Sequence, residues 1–402
     1  MTNSAAPHLL PVFARADVGF DRGEGCWLIA THGERYLDFT SGVAVNALGH
    51  AHPALVTALQ EQATKLWHMS NLFQSPDGEK LAARLCNESF ADYVFFCNSG
   101  AEAMEGVIKL VRHHHFSKGH PERYRIITFE GAFHGRTLAT LAATGSPKYL
   151  EGFGAPMDGF DQVPHGDLDA VKAAIGPHTA GVLIEPIQGE GGVRSAPPNF
   201  LKALRELCNE RGILLAFDEV QTGMGRTGDL FAYKRTGVTP DVMSLAKALG
   251  GGFPIGAILA TADAAAGMGP GSHGSTFGGN PLAIAAATAV LDVMLKPGFF
   301  DHVQKMSLLL KQKLASVIDR HPDIVCEVRG EGLLIGLKAV VPSGDLVAAL
   351  RHEKLLTVGA GDNVVRFLPP LIVTEAEIED GVARLERACA ALASSQTNRA
   401  AS

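Results

Sequence analysis

The chain has 402 residues, 46% of them hydrophobic and 19% charged, with a net charge of −7 and no block of like charges. That length allows two or three domains around a large core, with the composition of an ordinary globular protein. The acidic balance argues against nucleic acid or an anionic membrane as a partner.

From the N-terminus, no basic segment is followed by a long apolar one, so no signal peptide is expected and the cytoplasm is the default. Strand-like stretches at 26–30 and 35–39 come first. Tyr93–Cys97 reads as a strand and 102–115 as a helix; Arg125–Phe129 reads as a second strand. Residues 180–186 (AGVLIEP) form a third, followed by a helix over 200–211 and a fourth strand at 213–218. Val242–Leu245 and 255–260 complete the series. Strands alternating with helices predict a largely parallel sheet covered on both faces, with ligands at the carboxyl ends of its strands. A helix at 282–295 is too short for a membrane span and is broken by Asp292. Beyond it, a helix at 303–318, short strands at 325–328, 333–338 and 364–368, and a helix at 375–392 read as a separate α+β domain. The first fifty residues are expected to pack against it. The last ten residues read as frayed. The six cysteines are scattered without a C-x-x-C pair, which suits reduced, packed thiols.

The most informative run is 213–252. An apolar strand ends in Asp218, and Lys247 follows among small residues just before three glycines. A carboxylate at the end of a buried strand needs a cation or strong donor; no Lys or Arg precedes it in the strand, and the next basic residue, Arg226, lies beyond two glycines. A cofactor with a protonated ring nitrogen would supply the partner. Lysine forms Schiff bases with aldehyde cofactors, so the pair suggests pyridoxal 5'-phosphate (PLP). Asn98-Ser99-Gly100-Ala101-Glu102 joins a strand to a helix with S-x-x-E capping spacing, and open amides at Gly100 and Ala101 would suit a phosphate. Taken alone, the motif is better explained as an ordinary helix cap, because S-x-x-E spacing is common. After another strand, Phe133 could lie on a flat ring and Arg136 could fork onto a carboxylate; a core residue and a surface ion pair explain them as well. His134 reads as structural. Glu185 to Gly192 sets two acids and three glycines at a strand end, a flexible loop. Ser275 and Thr276 precede a helix, where hydroxyls either cap or bind anions. Gly223 to Gly228 matches G-x-G-x-x-G, but late in the chain and without a helix start, the wrong context for a dinucleotide. His113, His114 and His115 point in different directions on a helix and do not converge on a metal.

Taken together, NSGAEA, FHGRT, EPIQGEGG, FDEVQTGMGRTG, AKALGGGFPIGA and HGSTFGGNP resemble the class III aminotransferases of the fold type I PLP enzymes. GVAVNALGHAHP, HMSNLF and RFLPPL extend the likeness over residues 25–392, toward the acetylornithine branch. The resemblance implies a central, mostly parallel sheet flanked by helices in a large PLP-binding domain over 53–290. It also implies a smaller α+β domain built from 291–402 and the N-terminal segment 1–52. Lys247 would hold PLP as a Schiff base and Asp218 would pair with its ring nitrogen. Glu219, Val220 and Gln221 would continue that cofactor-binding run, with Gln221 at the phenolic oxygen. Phe133 would stack on the ring, Gly100 and Ala101 would bind the phosphate, and Thr276 would reach it from the partner of a homodimer. Arg136 and Ser275 would bind substrate. Arg366 would take a carboxylate of glutamate or 2-oxoglutarate, with Glu190 as its competing partner.

The implied reaction moves the terminal amino group of N2-acetyl-L-ornithine to 2-oxoglutarate, a step of arginine biosynthesis. Two arginines suit a dicarboxylate and a substrate with one distant carboxylate. Other ω-amines (succinylornithine, N-succinyl-diaminopimelate, ornithine, 4-aminobutyrate) remain open from the sequence, as does an aminomutase on the same scaffold. A nicotinamide oxidoreductase would bind NAD, and a non-catalytic relative would have lost Lys247 or Asp218; both are present.

Overall fold

The computed structural model describes residues 8–400. Three short strands, β1 (Phe20–Glu24), β2 (Trp27–Ala30) and β3 (Arg35–Asp38), form an antiparallel meander. There follow β4 (Tyr93–Cys97), β5 (Arg125–Phe129), β6 (Phe160–Val163) and β7 (Thr179–Ile184). The two-residue strands β8 (Ile187–Gln188) and β9 (Arg194–Ser195) make a small hairpin. Next come β10 (Leu214–Asp218), β11 (Val242–Leu245) and β12 (Gly256–Ala260). Beyond the helices Pro281–Met294 and Phe299–Arg320 lie β13 (Val325–Glu331), β14 (Leu334–Ala339), β15 (Leu355–Leu356), β16 (Val358–Ala360) and β17 (Val364–Phe367).

The central sheet has the order β4-β12-β11-β10-β7-β5-β6. Its strands run parallel except β12, which is antiparallel to both β11 and β4. This is the expected sheet with one strand reversed: β12 follows β11 after residues 246–255, a stretch that holds a 3-10 turn and glycines and is too short for a helical crossover. Every residue of β7 and β10 is buried, which explains their unbroken apolar sequence. The helix Gly100–Ser117 lies so close to β12 that a Cβ on Gly106 would meet Ile258 Cδ1 at 2.0 Å. Glycine at that position sets the distance between the two layers.

A second sheet, β13-β14-β17-β16, is antiparallel throughout. The meander β1–β3 joins this half of the chain, because β3 pairs with β15 in parallel and Trp27 Nε1 donates to Glu377 Oε1 at 3.1 Å. Of the last ten residues, read from the sequence as frayed, 393–400 are helical, since the last helix runs from Glu375 to Ala400; 401 and 402 lie outside the described residues. Its buried face, Ile378, Val382, Leu385 and Cys389, anchors it, and the alanines beyond continue a helix at little cost.

Candidate active site

Asp218 ends β10 beside Ser244 of β11, and the register Phe217 to Ile184 brings Glu185 alongside it from β7. Three donors converge on the Asp218 carboxylate: His134 Nδ1 at 2.8 Å, Val220 N at 3.0 Å and Ser244 Oγ at 3.2 Å. Lys247 follows β11 in a short 3-10 turn with φ +44°, a left-handed backbone that costs a non-glycine residue energy and that the surrounding fold must enforce. The glycines after it permit the sharp return: a Cβ on Gly250 would meet Phe253 O at 1.9 Å, and Gly252 adopts φ +122°. The Lys247 amine has no hydrogen-bond or ion-pair partner among the described residues. Burial, with help from Arg366, lowers its pKa from the ordinary lysine value against the pull of Glu190, Asp218 and Glu185.

These groups line a cavity of about 440 Å³ whose wall also includes Ser99, Gly100, Ala101, Phe133, Arg136, Val220 and Gln221. The Gly100–Ser117 helix points its N-terminus into it. Ser99 Oγ accepts from Glu102 N at 3.2 Å, the forward half of a capping box. The return half is displaced: Glu102 Oε2 accepts from Asn98 N at 2.7 Å and Asn98 Nδ2 at 2.9 Å, not from Ser99 N. The Gly100 and Ala101 amides have no partner among the described residues. A side chain at Gly100 would meet Val220 Cγ1 at 2.9 Å, so only glycine allows this approach.

At the mouth, the guanidinium of Arg136 lies 3.8 Å from the Tyr149 ring centroid and 5.4 Å from that of Phe133. Arg366, only 1% exposed, donates from Nη1 to Glu190 Oε1 at 2.6 Å and to Gln221 Oε1 at 3.3 Å, and from Nη2 to Gly359 O at 3.0 Å. Glu190 and Gly359 also border a wider cleft of about 1300 Å³ between the β8–β9 hairpin and the second sheet.

The structure therefore gathers Lys247, Asp218, Gly100, Ala101, Phe133, Val220, Gln221 and Arg136 around one cavity, with Glu190 and Arg366 at its edge. Three expected residues do not line it. Glu219 turns away, accepting Ala232 N at 2.6 Å and Tyr233 N at 2.8 Å to cap the helix Ala232–Thr236; burial pushes its carboxyl up to about 7. Ser275 accepts from Asn98 Nδ2 at 3.3 Å and from Gly278 N at 2.9 Å, one layer behind the cavity. Thr276 is exposed. Ser244 and Tyr149 have clear positions here and were not singled out by the sequence; His134 was read as structural, and Glu185 only as part of a strand-end loop, so neither was assigned to the site. For His134 the usable signal was its place directly after a strand end, two strands from Asp218.

The residues present fit PLP. A buried amine without a partner, a strand-end carboxylate, an aromatic ring, and two free amides at a helix N-terminus are what a phosphorylated aldehyde with a basic ring nitrogen requires. The Gly223–Gly228 stretch forms turns after β10 and opens no helix, so it is no dinucleotide site. His114 Nδ1 faces Asp263 O and His115 Nε2 faces Ala180 O, so these side chains diverge.

Comparison with known proteins agrees. The aminotransferase class-III family matches residues 13–389. An acetylornithine aminotransferase 1 of Bradyrhizobium diazoefficiens is 91% identical over all of this chain and 99% of its own length. The crystal structure of N-acetylornithine aminotransferase from Stenotrophomonas maltophilia superposes with a TM-score of 0.84 at 39% identity, over 95% of this chain and 98% of that one. An ornithine aminotransferase from Toxoplasma gondii, described with partial occupancy of PLP at its active site, gives a TM-score of 0.91 at 31% identity, over 96% and 93% of the two chains. Sequence, fold and cavity thus converge, and the chain belongs to the class-III aminotransferases, PLP enzymes of fold type I.

Proposed function

We propose that this enzyme transfers the terminal amino group of N2-acetyl-L-ornithine to 2-oxoglutarate, giving N-acetyl-L-glutamate 5-semialdehyde and L-glutamate in arginine biosynthesis. The observation that carries the reading is the buried Arg366–Glu190 pair beside the partnerless Lys247, in a chain 91% identical over its whole length to a protein named for acetylornithine.

PLP, when bound, supplies an electron sink that stabilises negative charge on the substrate carbon next to nitrogen. The chain supplies the rest. Lys247 anchors the cofactor and then carries a proton to and from the substrate carbon; its lowered pKa raises the fraction of neutral amine available for this. Asp218, oriented by its three donors, would pair with the ring nitrogen. The Gly100 and Ala101 amides would hold the phosphate, Phe133 would cover the ring, and Gln221 would contact its phenolic oxygen. Arg136 holds the distant carboxylate of acetylornithine, with Ser275 supporting the same region through Asn98. Arg366 is neutralised by Glu190 while the N-acylated substrate is bound, and releases it for the α-carboxylate of glutamate.

A homodimer with shared sites belongs to the same reading. Trp67, Leu72, Phe73 and Phe277 are 64%, 90%, 70% and 60% exposed. They cluster where Asn71 Nδ2 donates to Ser275 O and Gly278 O, and where the His68 and Phe277 rings lie 5.3 Å apart. A second copy would cover this apolar patch and receive Thr276 at its phosphate site. No single helix among the described residues is long and apolar enough to cross a membrane, and the reading places the enzyme in the cytoplasm. The division into segments 1–52, 53–290 and 291–402 belongs to the same proposal, with one adjustment. The helix Pro281–Met294 runs through the last boundary, which moves to the turn before Phe299.

The test is a spectral titration of the PLP-loaded protein. Acetylornithine and glutamate should each discharge the bound cofactor's visible band. Borohydride should trap the cofactor on Lys247, and Lys247→Ala should abolish turnover. A colourless protein with nothing trapped at Lys247 would sink the reading; discharge by 4-aminobutyrate alone would reassign the substrate.

A further inference from the structure

Glu185 has no assigned part in this chemistry, yet it lines the cofactor cavity and is only 6% exposed. The sheet register sets it next to Asp218, so two buried carboxylates stand side by side at the carboxyl ends of adjacent strands. They are not equally supported. Asp218 receives a histidine, a hydroxyl and an amide. Glu185 Oε2 receives the Phe133 amide at 3.0 Å, and no Lys, Arg or His pairs with it among the described residues. The groups that face it are Asp218 from β10, Lys247 from the turn after β11, and the Phe133 and Gly189 amides from the loops after β5 and β8.

Two like charges this close cannot both persist at low dielectric; one carboxyl keeps its proton. The donor inventory decides which. We infer that Glu185 is a proton-bearing acid of the cofactor pocket, held neutral beside Asp218 so that a single anion faces the cofactor's ring nitrogen. Burial and the neighbouring Asp218 push the Glu185 carboxyl well above the usual glutamate range, and the two amides with Lys247 offset this only in part. As a neutral acid Glu185 still accepts the Phe133 N–H, so it fixes the ring-covering loop without adding charge. It acts through Asp218 and Phe133 and is a positioning residue. The consequence for the cofactor rests on Asp218 being the ring partner; the proton on Glu185 does not.

Infrared difference spectroscopy on the cofactor-free protein separates these. Wild type minus Glu185→Gln at neutral pH should show the C=O stretch of a protonated carboxylic acid. A carboxylate pair of bands in its place would overturn the proposal. Asp218→Asn, which removes the neighbouring charge, should move the same acid band to titrate at lower pH; an unmoved band would also overturn it. In equilibrium dialysis Glu185→Gln, a neutral isostere, should bind PLP as wild type does. A loss of about tenfold would mean that Glu185 contributes charge to the cofactor, against the single-anion arrangement. Unchanged PLP affinity in Asp218→Asn would instead remove Asp218 as ring partner and leave the Glu185 proton standing. Should Glu185→Gln fail to fold, the pH titration of the acid band in wild type and Asp218→Asn decides alone.

Discussion

His134 Nδ1 lies 2.8 Å from Asp218 Oδ2, with the histidine side chain fully buried and the aspartate 4% exposed. Its backbone N–H donates to Thr144 Oγ1 at 3.0 Å, which holds the residue in place. Replacing it by phenylalanine keeps a planar ring of somewhat larger size and removes one donor to a buried carboxylate. A hydrogen bond to a charged group contributes about 1.5–3 kcal/mol, so PLP affinity in His134→Phe should fall roughly ten- to a hundredfold. Fluorescence titration of the cofactor-free protein measures this. Wild-type affinity in a variant of unchanged melting temperature would show that His134 does not support the cofactor's anion.

Glu190 stands between the two half-reactions. Arg366 is 1% exposed, and removing the carboxylate 2.6 Å away leaves a buried cation with only carbonyl and amide oxygens around it. A substrate carboxylate would then meet no competitor. In Glu190→Ala, KM for glutamate should drop about tenfold, while kcat/KM for acetylornithine should fall by a similar factor, because no group neutralises Arg366 in that complex. Single-turnover measurements with each donor read the two effects separately. An unchanged preference would refute the switch.

Arg136 is held by aromatic faces and has no ion-pair partner among the described residues. Its guanidinium lies 3.8 Å from the Tyr149 centroid, and the Phe133 and Tyr149 rings meet edge to face at 6.1 Å. Such a contact contributes about 0.5–1 kcal/mol at an exposed site. Tyr149→Ala should therefore raise KM for acetylornithine about two- to fivefold with kcat unchanged. Tyr149→Phe, which keeps the ring, should leave both constants alone. A kcat effect in Tyr149→Ala would mean that the tyrosine takes part in chemistry.

What the sequence reveals follows from which physical signal each residue carries. β7 and β10 are buried on both faces, so their sequences are continuous apolar runs and their ends are plain. Asp218 stands out because a charge terminates such a run, and Lys247 because glycines follow it. The reversed direction of β12 has no such mark, since a buried strand looks alike in either sense. Glu219 directly follows Asp218, the last residue of its strand, and its side chain points the other way, where a helix N-terminus receives it; Gln221 comes back to the cavity because turns, not strand, follow Asp218. His134 and Glu185 gain their roles only across strands, from elements 84 and 33 positions away from Asp218 in the chain. The C-terminal helix outlasts its apolar stripe, so its extent was not readable from periodicity.

A last expectation concerns acid. His115 is 3% exposed, and its Nε2 lies 2.7 Å from Ala180 O, so the neutral ring donates to that carbonyl. Burial lowers its pKa to about 4; the Ala180 carbonyl opposes this, and His114, Arg123 and His120 reinforce it. The unfolded chain titrates near 6.5, so the native state binds this proton less readily than the unfolded one does. The stability that follows is fully present above pH of about 6.5 and is lost as pH falls through about 4, up to about 3 kcal/mol in all. His115→Gln keeps a donor for Ala180 and cannot ionise. The stability difference between wild type and this variant should shrink, or reverse, on going from pH 7 to pH 4 in urea unfolding. A difference that stayed constant across that window would mean that the His115 ring carries no buried neutral form, and that the acid sensitivity of the fold lies elsewhere.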